Sequence, residues 1–252
     1  TESLDETIQP RFQANIYKDN FSEELLSKST RQAIRTARNK GIQVQFGGKE
    51  LLDDFSALMK KTENRKSIHL RGKDYYQKLL DTYPEHSYIT LASIDLNERL
   101  ESLQAQKAKA EKEASKFTEK TKPGKIENNK QEQKRLQEEM DFLSEKIAQG
   151  TLVLEYGATS ENIYAGMDEE YRRYQPALLT WYETAKHAFE RGADWQNMGG
   201  VENDLDGGLY HFKSKFNPTI EEFVGEFNLP TNPLYHLSNL AYTLRKKFRS
   251  KH

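Results

Sequence analysis

The chain has no cysteine among its 252 residues. That excludes disulfides, a thiolate metal site and a cysteine nucleophile, and it fits a cytoplasmic location. No run approaches the roughly eighteen apolar residues of a membrane-spanning helix. Charge of one sign is also lacking: the net charge is −1, so a globally basic nucleic-acid binder is excluded, although local patches are not. The six histidines show neither HExxH nor another ligand-like spacing. No serine-histidine-acid set, P-loop or dinucleotide fingerprint occurs. Gly199-Gly200 and Gly207-Gly208 lie too far apart and lack the lysine context for the last two. Neither a metal nor a nucleotide cofactor is expected. The acidic, polar start TESLDETIQP lacks an initiator methionine; it is no signal peptide and reads as a cut inside a longer protein.

What is present is uneven. With 35% apolar and 31% charged residues, the average is polar, as for a compact body carrying a helical appendage. Periodicity predicts a helix over 21–41, capped by Ser22 and stopped by Gly41. A strand follows over 42–46, then helices over 49–62 and 72–82 and a strand over 88–94. Past residue 150, strands are predicted over 151–156 and 162–166 and a long amphipathic helix over 169–191. Strands over 195–198 and 219–227 and a closing helix over 232–247 complete the pattern. An α/β body of 1–95 and 151–252 thus encloses an insertion at 96–150.

The insertion is a different polymer. Leu96, Leu100, Leu103, Lys107, Ala110, Ala114 and Phe117 recur at alternating spacings of four and three. After Lys122-Pro123-Gly124 the same rhythm resumes at Asn129, Gln133, Leu136, Met140, Leu143 and Ile147. Two heptad seams joined by a Pro-Gly turn predict an antiparallel coiled-coil hairpin. At roughly 23 residues per helix and 1.5 Å per residue, the arm extends about 35 Å. It serves either as a solvated spacer or as a docking arm for tRNA or a protein partner.

Three clusters carry positive charge. Arg31, Arg35 and Arg38 share one face of the first helix, with no acid after Glu24; they suit an RNA backbone or anionic lipid as well as plain solvent. The tail 245–252 surrounds Phe248 with cations and suits a membrane surface, or simply a frayed terminus. In HLRGKDYY (69–76), Arg71 precedes a helix start and Tyr75 lies one turn on, a pair able to grip a phosphate. The densest segment is Gly199–Phe227, with five glycines, four phenylalanines and two lysines in 29 residues. Its paired glycines allow close backbone approach, and its aromatics surround Lys213. On the residues alone, Lys213 reads first as an exposed lysine on a glycine-rich loop.

Four segments together, STRQAIRTARNKG (29–41), HLRGKDYY (69–76), SENIYAGMDEEYRRYQPALLTWYETAKHAFERG (160–192) and 199–227 with its GLYHFK, resemble the Fem family of tRNA-dependent aminoacyl transferases. Within it they are nearest the MurM type, which adds serine or alanine to lipid II. The resemblance spans the whole chain but only the later part of a full-length member. It implies an acyltransferase (GNAT-like) subdomain with an inserted helical arm, preceded in the full family fold by another such subdomain. The implied donor is aminoacyl-tRNA, without CoA or other cofactor. The implied acceptor is the stem-peptide lysine amine of lipid II, which places the work at the inner membrane face, peripheral on anionic lipid. Arg71 and Tyr75 match the acceptor-phosphate pair, Tyr164 an acceptor-binding tyrosine, and Phe212 precedes Lys213, which matches the lysine of the transfer step. A competing reading is a non-catalytic tRNA- or protein-binding module with a coiled-coil arm.

Overall fold

The computed structural model describes residues 10–142 and 147–224 and isolated positions between 232 and 241. A strand that periodicity did not predict opens the body: β1, Phe12–Tyr17, buries Ala14 and Ile16 on one face and Asn15 on the other. The first helix starts later than expected. Residues Glu23–Leu25 form a 3-10 turn, and Ser27, not Ser22, is the cap, its hydroxyl accepting from the Thr30 amide at 3.2 Å. Helix α1 spans Lys28–Asn39 and ends against Gly41 at φ +80°. Strand β2 (Ile42–Gly47), helices α2 (Leu52–Lys66) and α3 (Lys73–Thr82), and strand β3 (Ser87–Ile94) follow.

The insertion forms two antiparallel helices, α4 (Leu96–Ala114) and α5 (Pro123–Phe142). Asp95 caps α4 through the Asn97 and Glu98 amides. Leu103 and Leu136 are fully buried in the seam. Its polar positions are satisfied internally: Asn129 donates to the Ala110 carbonyl at 3.0 Å, and Gln133 to Asn129 at 2.7 Å. The arm's expected end at 150 moves back. Strand β4 runs Ile147–Tyr156 without a break, so 147–150 belong to the sheet. Gly150 is a crossing point: a Cβ there would lie 2.7 Å from Leu91 and 3.2 Å from Phe55 of α2.

At its root the arm is held by a buried carboxylate. Glu139, 3% exposed, accepts from Arg99 of α4, from Lys40 after α1 at 3.1 Å, from Arg135 at 3.1 Å and from the Tyr174 hydroxyl at 3.0 Å. Burial pushes its pKa up, but the Arg99 hydrogen bond and the Lys40 charge outweigh this and hold it down at about 2.

Strand β5 (Thr159–Met167) is followed not by one long helix but by a 3-10 turn, Glu169–Tyr174, and then α6, Pro176–Glu190. Pro176 supplies no amide and bars Gln175 from the helical region; Gln175 instead takes φ +57°. Strand β6 (Trp195–Val201), the short helix α7 (Gly208–Lys213) and strand β7 (Thr219–Glu222) finish the described body. The predicted strand to 227 stops at Glu222. Most of the predicted closing helix over 232–247 and all of the tail 245–252 lie outside the described residues.

The strands form one sheet in the order β2-β3-β4-β5-β6-β1-β7. All neighbours are antiparallel except β5 and β6. Helices α1 and α6 cover one face, where Trp181, Tyr182, Phe189 and Met198 form the larger apolar core. Helices α2 and α3 cover the other face through Phe55, Met59, Tyr76 and Leu80.

Candidate active site at a split in the sheet

The one parallel pair is short. Thr159, Ser160 and Glu161 of β5 face Trp195, Gln196 and Asn197 of β6, and the ladder ends there. Strand β5 continues to Met167 on β4, and β6 to Val201 on β1. Two strands that run on with different partners must part, so the sheet opens a wedge beyond Glu161 and Asn197.

One side of the wedge carries Lys213. Far from lying on a loose glycine-rich loop, it ends α7 and is 5% exposed. Its Nζ donates to the Gly200 carbonyl at 2.7 Å and lies 6.0 Å from the Trp181 ring centre. Gly200 belongs to the stretch of β6 past its ladder with β5. Gly199 takes φ +84°, which favours glycine, and a Cβ there would only touch Nζ at 3.4 Å. Burial lowers the Lys213 pKa to about 8, while the Glu202 charge works the other way. Phe212 packs edge-on against Trp181 at 5.4 Å and against Phe216 at 5.7 Å. Its ring contacts are thus with the core, and it anchors α7 to α6.

The other side carries the aromatic cluster. Tyr164 lies on β5 past the ladder, edge-on to Tyr75 at 6.2 Å and to Tyr76 at 5.1 Å. The Arg71 guanidinium sits 5.1 Å from the Tyr75 ring centre. Burial raises the Tyr164 pKa, the hydrogen bond with Tyr75 adds to this, and Arg71 opposes it. Among the described residues no side chain caps the start of α3 at Gly72. Beside it opens a cavity of about 430 Å³ lined by Lys60, Glu63, Arg71 and Lys73 among others. Cation, aromatic rings and an uncapped helix start together favour an anion.

The structure brings Arg71, Tyr75 and Tyr164 together. It does not bring Lys213 or Phe212 into contact with them: Tyr164 packs with the α2–α3 layer and Phe212 with the α1–α6 layer. The arginine stripe is less free than expected. Arg38 pairs with Glu23 at 2.8 Å and Glu183 at 2.9 Å, and Arg31 donates to the Glu24 carbonyl at 3.1 Å. The long-range partner Glu183 was invisible to a local count of acids.

Three participants escaped the sequence. Tyr76 is fully buried against Phe55 and Tyr164, with its hydroxyl unpartnered among the described residues and pushed by burial to about 12. Trp181 reaches Lys213 from α6, and Glu202 reaches α7 from the end of β6. Only the doubled tyrosine, Tyr75-Tyr76, gave a signal. No group of three or more histidine, aspartate or glutamate side chains able to hold a metal occurs among the described residues. No helix among them is long and apolar enough to cross a membrane.

The family model for FemAB matches residues 1–243. The chain belongs to the FemAB family. It is 29% identical over 253 residues to the lipid II:glycine glycyltransferase of Staphylococcus epidermidis, covering 91% of this chain and 61% of that protein. The same enzyme name is carried by relatives from Staphylococcus aureus, 29% identical over 263 residues, and Staphylococcus haemolyticus, 26% identical over 256. Both alignments again cover 91% of this chain and 61% of the relative. The chain thus spans less than two thirds of the length of these curated relatives. Among solved structures it is similar to FemX, with 25% identity and a TM-score of 0.66 over 95% of this chain and 67% of that one. The α/β fold expected from the resemblance is the fold this FemAB chain has.

Proposed function

We propose that this FemAB chain is the later part of an aminoacyltransferase that moves an amino acid from aminoacyl-tRNA to the stem-peptide lysine amine of lipid II. The observation that carries the reading is Lys213: a buried ammonium on the Gly200 carbonyl, at the side of a split in the sheet. A binding scaffold has no use for a desolvated cation held there.

The chemistry follows from the charge. The acceptor amine attacks the ester carbon, the carbonyl oxygen becomes an oxyanion, and collapse expels the ribose oxygen, which takes up the proton the amine gives up. An ammonium aimed at the oxyanion lowers that barrier, by roughly 3 kcal/mol for one donor. The Arg71–Tyr75–Tyr164 cluster holds the acceptor's phosphate, and positioning supplies much of the remaining rate. The donor is a small aminoacyl group. The MurM-type resemblance favours serine or alanine; the names of the Staphylococcus relatives favour glycine.

Work on a lipid-linked acceptor places the enzyme at the inner membrane face. Leu234, Leu237 and Leu240 are exposed, and the sequence that follows them carries Arg245, Lys246, Lys247, Arg249 and Lys251. Apolar exposure next to cations supports peripheral contact with anionic lipid. Arg35, with the Arg31 donors not spent on the Glu24 carbonyl, would serve tRNA or lipid phosphate.

The test is transfer of labelled glycine, serine and alanine from their tRNAs to purified lipid II by the full-length protein. One donor is expected to dominate. Absence of transfer from all three, with tRNA still bound, would instead establish the binding-module reading. Vesicle binding that is equal with neutral and anionic lipid would remove the membrane contact.

A further inference from the structure

Strand β6 ends at Val201, and the next residue, Glu202, turns back over the start of α7. Its two carboxylate oxygens accept from the Leu209 and Tyr210 amides, each at 2.9 Å. These are first-turn donors of α7 that the helix itself cannot satisfy. The Gly207-Gly208 pair acquires a physical reason here: a Cβ on Gly207 would stand 2.1 Å from the Glu202 carboxyl carbon. Gly207 itself has φ −86°, a conformation open to any residue. Glycine is needed at 207 for room, so that the carboxylate can lie over the helix start. The two amides hold the Glu202 carboxyl below its ordinary value.

Six residues on, α7 ends at Lys213, whose Nζ returns to the Gly200 carbonyl at 2.7 Å, two residues before Glu202. Strand end, carboxylate, short helix and ammonium thus form a closed loop. From α6, Trp181 meets Lys213 and carries no charge. The charged groups of α6 nearby in sequence are engaged elsewhere: Glu183 with Arg38, and Lys186 with Glu190. On α7 itself His211 pairs with Asp206. Burial lowers the Lys213 pKa, and the Glu202 charge opposes this.

We infer that Glu202 is a positioning residue for Lys213: it fixes the short helix that presents the ammonium and sets a negative charge on the same closed loop as that buried cation. The inference rests on the reading of Lys213 given above, but its test does not need transfer activity. Competitive acylation with acetic anhydride, followed residue by residue by mass spectrometry across pH, reads the titration of Lys213 directly in the chain.

In Glu202→Gln, one amide can still be capped while the charge is gone. The Lys213 midpoint is expected to move to lower pH, and its labelling at neutral pH to rise about threefold, the effect of a midpoint lowered by about half a pH unit. Gly207→Ala keeps the charge but displaces it from the helix start, so it is expected to move the midpoint the same way by a smaller amount. That second variant decides the matter if the first does not fold. A midpoint unmoved in the folded variants overturns the inference. Loss of transfer in Lys213→Met alongside that unmoved midpoint would leave the catalytic reading standing. The expected shift with Lys213→Met still turning over would leave Glu202's part standing and remove the catalytic role.

Discussion

Two of the charges buried among the described residues, Glu139 and Lys213, are treated in opposite ways. Glu139 at the arm's root receives hydrogen bonds from Arg99, Lys40, Arg135 and Tyr174. It stays ionised down to about pH 2. Among the described residues, Lys213 beside the wedge has one hydrogen-bond acceptor, the Gly200 carbonyl, and burial brings it to about 8 against the Glu202 charge. The first charge is compensated and serves architecture, locking α4 and α5 to α1 and to the turn before α6. The second is left under-compensated, which is costly for folding and useful for a group that must answer a negative charge arriving with substrate.

The largest effect is expected where compensation is removed. Glu139→Ala leaves Arg99 and Lys40 without their anion and should lower stability by about 3–5 kcal/mol, read by denaturant unfolding. An unchanged midpoint would show that the four partners are not coupled. Lys213→Met should cut turnover by about 100- to 1000-fold in the full-length enzyme, with the acceptor KM nearly unchanged. Its melting temperature should not fall, because a buried, weakly paired cation is removed; a marked loss of stability would erase the contrast between the two charges.

The pH dependence separates them by sign. The Glu139 pKa is depressed from 4.5 to about 2 when folded. Its contribution is therefore complete above pH 4.5 and lost as pH falls towards 2. The Lys213 pKa is depressed from 10.5 to about 8. The unfolded chain binds the extra proton between those values, so this residue's cost is greatest below pH 8 and is relieved as pH rises towards 10.5. Acid and alkaline melts of wild type against the two variants would show each window disappear in its own mutant. The smallest effect belongs to Arg71→Ala, which should weaken acceptor binding by about tenfold and leave turnover of bound substrate nearly intact. A loss in turnover alone would place Arg71 with the reacting atoms and not with the anion.

Local chemistry made much of this legible. The heptad seams gave the arm, because a repeated spacing of four and three has few other uses; Leu103 and Leu136 are its buried centre. Gly41 marked a helix end because its φ of +80° suits glycine. The HLRGKDYY motif carried Arg71 and Tyr75 to one helix start, and Tyr164 joined them across the sheet. Ser22 misled because Ser27 offers the same hydroxyl five residues later, and a preceding 3-10 turn occupies 23–25. The reading of Lys213 as a residue of a glycine-rich loop gave way to helix α7, whose leading amides Glu202, outside it, satisfies.

The sequence by itself determined most of the elements, the arm and the placing of Arg71 and Tyr75 at one helix start, since these depend on residues within a few turns of each other. The tertiary structure alone decided three other things: where the sheet splits, that Arg38 is neutralised by Glu183, and that Lys213 and Glu139, both charged, are buried to different ends. The reason is physical. A charge's state depends on what lies within a few ångströms of it, and for Glu139 and Lys213 those neighbours come from strands, turns and helices far away along the chain.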